Sequence, residues 1–502
     1  MYSENSCMLT NPALRISRRW PLASLVLLLS LLLASAAAQT ASQSSEPPKP
    51  VPGIGTTVQE HPPQPQADSE EESKPITKAQ AKELFRSVDS ILQFVSQDTG
   101  LPIKHKVKRK LITRSQVEKY VDKRMKDDKD AQRLERSQLV LKKFGLIPEN
   151  YDLHAEFLKL LSEQVAAYYD SKTKTVNLLD WVQPELQRPV LAHELTHALQ
   201  DQSFNLQKWS LAGAPNDNPQ PDQQEQVVEE AQAARQNVTE GQAMMTMLDY
   251  TLAPAGLSVL KAPDIVNAMR ADMTDPKGSP VLEAAPVFLR ESLMMPYTFG
   301  LDFVRAVLTT GGKAAAYVGM LEHPPVDTLQ VMEPEAYLQS KVAPPPTIPD
   351  LDKLIAPSYE RYDFGGMGAF DVFLLARQYA PKTDAKDYYS HWRGGYYLAA
   401  RAKTAPKDQI ALIYLSRWDS PEAAEAFAKL YSSYVPTRYH LDQAGMVSSA
   451  GSGNQTITWD AGQQGKVVIQ VHGNDVLVLE GLDDATGKRT SEALLPGLQS
   501  AR

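Results

Sequence analysis

The stretch VLAHELTHALQDQ, Val190 to Gln202, sets two histidines four residues apart around a glutamate, in a run otherwise apolar or amide-bearing. Residues four apart share one face of an α-helix. His193 and His197 can therefore turn both imidazoles toward one point, with Glu194 beside them, about 100° around the axis. H-E-x-x-H on a helix is the arrangement in which two imidazoles hold zinc and the glutamate takes a proton from the metal's water. Zinc brings the pKa of that water to about 7. The neighbouring Val190, Leu191, Ala192, Leu195, Ala198 and Leu199 predict a buried helix, and buried histidines need a reason. The alternative reading is a pair of satisfied core histidines.

A catalytic zinc takes three protein ligands and keeps a fourth position open. After His197 the chain reads ALQDQS. Gln200 and Ser203 stand where the H-E-x-x-H-x-x-G-x-x-H class carries Gly and His, so that class is excluded. The third ligand must come from elsewhere. A long helix predicted from about Gln223 to Tyr250 places Val227, Ala231, Ala234, Val238, Gly241, Met245 and Leu248 on one stripe. It also offers Glu229, Glu230 and Glu240. Glu240 is preferred because Gly241, next to it, interrupts a good helix at about 1 kcal/mol relative to alanine. A glycine there makes sense if the histidine helix passes close. Glu229 and Glu230 are expected to face solvent, with Glu230 the rival ligand. Asp201, one turn past His197, is expected either to orient an imidazole or to lie on the surface.

Taken in order, AAYYD, LAHELTHALQDQ, VTEGQAMM and PYTFG resemble secreted bacterial zinc metallopeptidases of the gluzincin type, over roughly Gln164 to Tyr337. The resemblance implies a mostly helical zincin-like domain with a small sheet, Zn2+ as cofactor, and a peptide or protein substrate. Carried over by position, His193, His197 and Glu240 would be the metal ligands and Glu194 the general base. VAAYYD would be a strand edge to which an extended peptide adds. An oxyanion stabiliser should also exist, with Tyr297 of PYTFG the candidate and His323 its competitor. Glu333 stands where relatives are expected to carry histidine, so the chain departs from the pattern there. Two other classes remain open: a zinc-stabilised binding module without hydrolysis, and a cell-envelope structural protein.

Around this centre the chain divides by composition. Met1 to Ala38 has Arg15, Arg18 and Arg19 before an apolar run and ends in small residues, the pattern of a signal peptide for a secreted or periplasmic protein. An uncleaved anchor is the alternative, and would be the only membrane contact. The single cysteine, Cys7, leaves with the signal, so core packing or metal must hold the mature chain. The formal net charge of −8 favours no nucleic-acid partner. Residues 39–75, rich in Pro, Ser and Glu, read as a disordered linker. Thr77 with Gln80 forms a capping-box pattern before Leu84, Val88, Ile91, Leu92 and Val95, and Gly100 is the stop.

The basic IKHKVKRKLI is expected to be an exposed strand, and Ser115 to cap a charged helix ending near Gly145. VAAYYD and TVNLL read as a hairpin, and Pro184 and Pro189 as the brackets of a loop before the histidine helix. Helices are expected from Pro286 to about Tyr317. VAPPPTIPDLDK marks a boundary near residue 350, giving a metallopeptidase domain over 76–345 and an accessory α+β domain over 350–502. In the latter, YYLAARA, IALIYLSRW, KVVIQV and VLVLEG read as strands, HGND as a turn, and Ser420-Pro421 as a helix start. The fold class is α+β.

Overall fold

A computed structural model describes residues 75–495, except 118, 120–127, 165–166, 211–220, 278, 343–345, 405, 407–408, 442–445 and 452–453. The signal, nearly all of the linker and Glu118 lie outside the described residues. Helix α1 (Lys78–Thr99) starts where the capping box predicts: Thr77 Oγ1 accepts from Gln80 N, and Gln80 Oε1 accepts from Thr77 N at 2.8 Å. Its stripe of Leu84, Val88, Ile91, Leu92 and Val95 is buried, and Gly100 closes it at φ 74°. Helices α2 (Asp128–Phe144) and α3 (Leu153–Gln164) follow the basic strand β1 (Lys108–Ile112).

A three-stranded sheet has the order β1-β3-β2. The hairpin of β2 (Ala167–Asp170) and β3 (Thr175–Leu179) is antiparallel, and β1 adds parallel to β3. Lys108 and Lys110 of β1 face solvent, as lysine on an exposed edge should.

The histidine helix α4 (Pro184–Phe204) begins earlier than the prolines imply, since Pro184 and Pro189 both lie inside it. Pro184 has a φ suited to a first helical position. Pro189 comes only one turn further on and forfeits a single bond, to the carbonyl of the exposed Glu185. The buried Gln187 ties this end of α4 to the sheet, donating to Leu179 O (2.8 Å) and Val182 O (2.6 Å) and accepting from Leu179 N.

Helix α5 (Pro221–Leu252) packs across α4. Beyond it come α6 (Val287–Met294), a π-turn at Pro296–Gly300, α7 (Leu301–Ala314) and a second π-turn at Ala315–Gly319. The expected stripe of α5 holds from Ala234 to Leu248, but Val227 is 44% exposed. From Gln236 to Asp249 the helix is buried on every side, so no single apolar stripe describes it.

The C-terminal part is a seven-stranded antiparallel sheet of order β4-β5-β6-β10-β9-β8-β7. Its strands are β4 (Tyr359–Gly366), β5 (Trp392–Ala402), β6 (Ala411–Trp418), β7 (Met446–Gly451), β8 (Asn454–Asp460), β9 (Lys466–His472) and β10 (Asp475–Glu480). The four strand runs read from sequence are present, and β4, β7 and β8 are additional.

Alternation along the strands separates two cores. Tyr396, Leu398, Ile413, Leu477 and Leu479 face a small cluster with Leu351 and Ile355 and with Leu494 of α10 (Asp484–Leu494). Tyr397, Ala399, Leu412, Tyr414, Val476 and Val478 face α8 (Ala369–Tyr379) and α9 (Pro421–Tyr439), within a core that also holds α1, α4 and α5. Ser420 caps α9 as expected, accepting from Ala423 N. The molecule is thus a mixed α+β protein with a C-terminal sheet. No described helix is long and apolar enough to cross a membrane.

Candidate metal centre

Where α4 crosses α5, His193, His197 and Glu240 converge. His193 Nε2 and His197 Nε2 are 3.1 Å apart, and Glu240 Oε2 lies 3.2 Å from the first and 3.4 Å from the second. These three are the one group of His, Cys, Asp or Glu among the described residues placed to hold a metal ion together. Helix spacing supplies the two imidazoles. The third donor comes from the crossing helix, so tertiary packing builds it. Glu194 is turned toward β2, where its Oε2 accepts from Tyr169 N at 2.7 Å.

The charges at this crossing are coupled. Burial favours a neutral Glu240, but the two histidines outweigh it and hold the carboxyl at about 2. Burial likewise disfavours charge on His197, yet Glu240 overrides it and pushes the imidazole up to about 9. Burial pushes His193 down. A cation entering between them competes with the proton that His197 and Glu240 hold, so metal binding here is coupled to proton release. Burial pushes Glu194 up to about 8, with His197 lowering it and Glu240 raising it.

Around the centre several assignments change. Asp201 orients no imidazole. It accepts from Tyr169 Oη (2.8 Å), Lys174 Nζ (2.5 Å) and Leu206 N (3.2 Å), which pins β2 to the end of α4. Gln200 is the partner of His197, with its Oε1 2.9 Å from Nδ1. An amide three residues after His197 shares its helical face, and that was the available signal. Gly241 is required by a different helix from the one expected: a Cβ there would lie 2.4 Å from Gly300 O and 2.9 Å from Val304. The close approach is therefore to the π-turn and α7. It sets Tyr297, in the same π-turn, near Glu240.

The phenol of Tyr297 is buried and has no hydrogen-bond partner among the described residues. Burial, then the charges of Glu240 and Glu194, keep its proton on. Glu229 and Glu230 do not face solvent. Glu229 is buried and accepts from Gly366 N, while Glu230 accepts from Thr328 N (3.0 Å) and Oγ1 (2.7 Å), away from the histidines. His323 offers its carbonyl to Tyr337, and Glu333 pairs with Lys386, so neither joins the centre through these contacts.

The profile of a family described as a domain of unknown function (DUF8575) matches residues 316–491. The match covers the C-terminal sheet and begins after the last metal-centre residue. Searches of curated proteins and of solved structures each found no match. The likeness to known sequence is thus confined to residues 316–491, and the chemistry of the candidate metal centre rests on the residues themselves.

Proposed function

We propose that the protein is an exported zinc metallopeptidase of zincin-like, gluzincin type, hydrolysing peptide bonds with Glu194 as general base. The observation that carries the reading is the triangle of His193 Nε2, His197 Nε2 and Glu240 Oε2, with sides of 3.1, 3.2 and 3.4 Å. Donors about 2.0–2.1 Å from a tetrahedral ion lie about 3.3–3.4 Å apart. Imidazole with carboxylate suits zinc over calcium or magnesium, and three protein donors leave a fourth position for substrate. When bound, the ion supplies a Lewis acid that polarises a carbonyl and makes water a nucleophile near neutral pH.

The chain's own residues do the rest. Tyr169 N–H holds one oxygen of Glu194, and the carboxylate takes a proton from the attacking water and returns it to the leaving amine. Tyr297 keeps its proton and is a donor for the developing oxyanion. Among the described strands, β2 pairs with β3 on one side only, and its other edge receives an extended peptide substrate. Export is read from Met1 to Ala38. The test is a peptide library incubated with zinc-loaded protein, with and without a chelator. Cleavage abolished by chelation and restored by zinc supports the reading.

One observation favours a second reading. His193, Glu194, His197 and Glu240 are only 1%, 1%, 4% and 5% exposed, and enclosed metal sites are commonly structural. A zinc-stabilised binding module predicts that chelation lowers the melting temperature while no peptide is cut.

A further inference from the structure

The orientation of His197 is decided two side chains away. Backbone carbonyls accept and never donate. Gln242 Nε2 donates to the carbonyls of Ala316 (2.7 Å) and Tyr317 (3.0 Å) in the second π-turn. That end of its amide must be the NH2, so its Oε1 faces Gln200. Gln200 Nε2 donates to this oxygen at 2.8 Å and to Thr239 O at 3.1 Å. The Gln200 amide is fixed in turn, and its Oε1 is the atom that meets His197 Nδ1. An oxygen facing Nδ1 requires a proton on Nδ1. In the neutral ring, as it is when the proton shared with Glu240 has left, the lone pair is then on Nε2, which points toward His193 and Glu240.

Both glutamines are fully buried, so water does not compete for their amides. Network logic of this kind is what assigns amide orientation and imidazole tautomer. Two carbonyl acceptors in a π-turn, a local structure common at functional sites, thus set the polarity of the whole chain of bonds.

We propose that Gln200 and Gln242 form an amide relay that locks His197 in its Nδ1–H tautomer and prepares Nε2 to bind the metal. The inference rests on the metal-centre reading above. Gln200 does not touch the ion and is a positioning residue. His193 has no counterpart: its Nδ1 makes no hydrogen bond among the described residues. Because the relay is serial, removing the second amide matters only while the first is present.

The experiment measures zinc affinity of the mature chain by competition with a chromophoric chelator, in wild type, Gln200→Met, Gln242→Met and the double variant. Gln200→Met should bind about 10–100-fold more weakly. Gln242→Met should lose less, and the double variant should bind no more weakly than Gln200→Met alone, the non-additivity of a shared path. Should Gln200→Met fail to fold, long-range 15N–1H spectra of histidine-labelled, zinc-loaded wild type decide: His197 must carry its proton on Nδ1. A proton on Nε2, or undiminished affinity in Gln200→Met, overturns the relay alone. A wild type that binds no zinc overturns the metal centre and the relay together.

Discussion

Glu480 and Glu240 are both buried, at 0% and 5% exposure, and their surroundings are opposite in kind. Glu480, at the end of β10, is surrounded by donors. Tyr431 Oη (2.8 Å), Tyr439 Oη (2.6 Å) and Arg438 all donate to it, and Lys143 Nζ is 3.8 Å away. Burial would raise its pKa, but Arg438 and Lys143 outweigh it and hold the carboxyl below its usual range. This cluster joins the end of α2 to α9 and the large sheet, and it has no use for an added ion. Glu240 instead meets two imidazole nitrogens, each of which offers a lone pair unless it carries a proton. A buried carboxylate among fixed cations and phenols is a strut, whereas one facing two imidazoles that can release their protons to a metal is a candidate cation ligand.

Turnover should be the most sensitive probe of that contrast. Glu194→Gln is expected to lose about 10²–10⁴-fold in peptide hydrolysis while keeping its zinc, as read by metal analysis beside an initial-rate assay. Unchanged turnover would remove Glu194 from the chemistry. Glu480→Gln leaves Arg438 and Lys143 buried against a neutral amide. It should cost about 3–5 kcal/mol in denaturant unfolding with no change in zinc content. A wild-type midpoint would show that the strut holds nothing.

A third carboxylate tests the pH side. Burial, then Asp371, push Glu230 from its ordinary 4.5 up to about 8, and burial pushes Asp371 up to about 6. The folded state therefore holds more protons than the unfolded one between about pH 4.5 and 8. The stability these groups contribute is full at the acid end and is lost as pH rises through that window. Glu230→Gln should flatten this slope by about 2–4 kcal/mol between pH 5 and 8, measured by urea unfolding at each pH. An identical slope in the variant would place the titration elsewhere. The smallest effect is expected from Gly241→Ala, whose methyl would press on Gly300 O and cost about 1–3 kcal/mol. Stabilisation there would mean that the crossing has slack.

Local pattern made some of this visible in the sequence. The helical spacing of His193 and His197, the caps at Thr77 and Ser420, and the four strand runs depend on neighbours within one or two turns. A glycine argument points to Glu240, which the fold does place beside the two histidines, but the constraint on Gly241 comes from the π-turn at Gly300, not from α4. Glu229 and Glu230 escaped because charged residues on a long helix ordinarily face water, whereas here β4 and the Thr328 turn cover them. Gln200 escaped because an amide looks like surface filler until its partners on α5 and beyond are placed. Asp201 drew attention by its charge, yet its bonds run to Tyr169 and Lys174. Position along one helix is legible in sequence, while the partner across a helix crossing is not.

The most direct test of the account is zinc per chain in the purified protein, measured beside Glu240→Ala, Glu230→Ala and Glu480→Gln. The account predicts about one zinc in the wild type, in Glu230→Ala and in Glu480→Gln, and loss in Glu240→Ala alone, as a site of three protein ligands requires. Full zinc in Glu240→Ala would contradict it by removing Glu240 from the ligand set, and none in the wild type after loading would contradict it and leave His193 and His197 as core histidines of a buried helix.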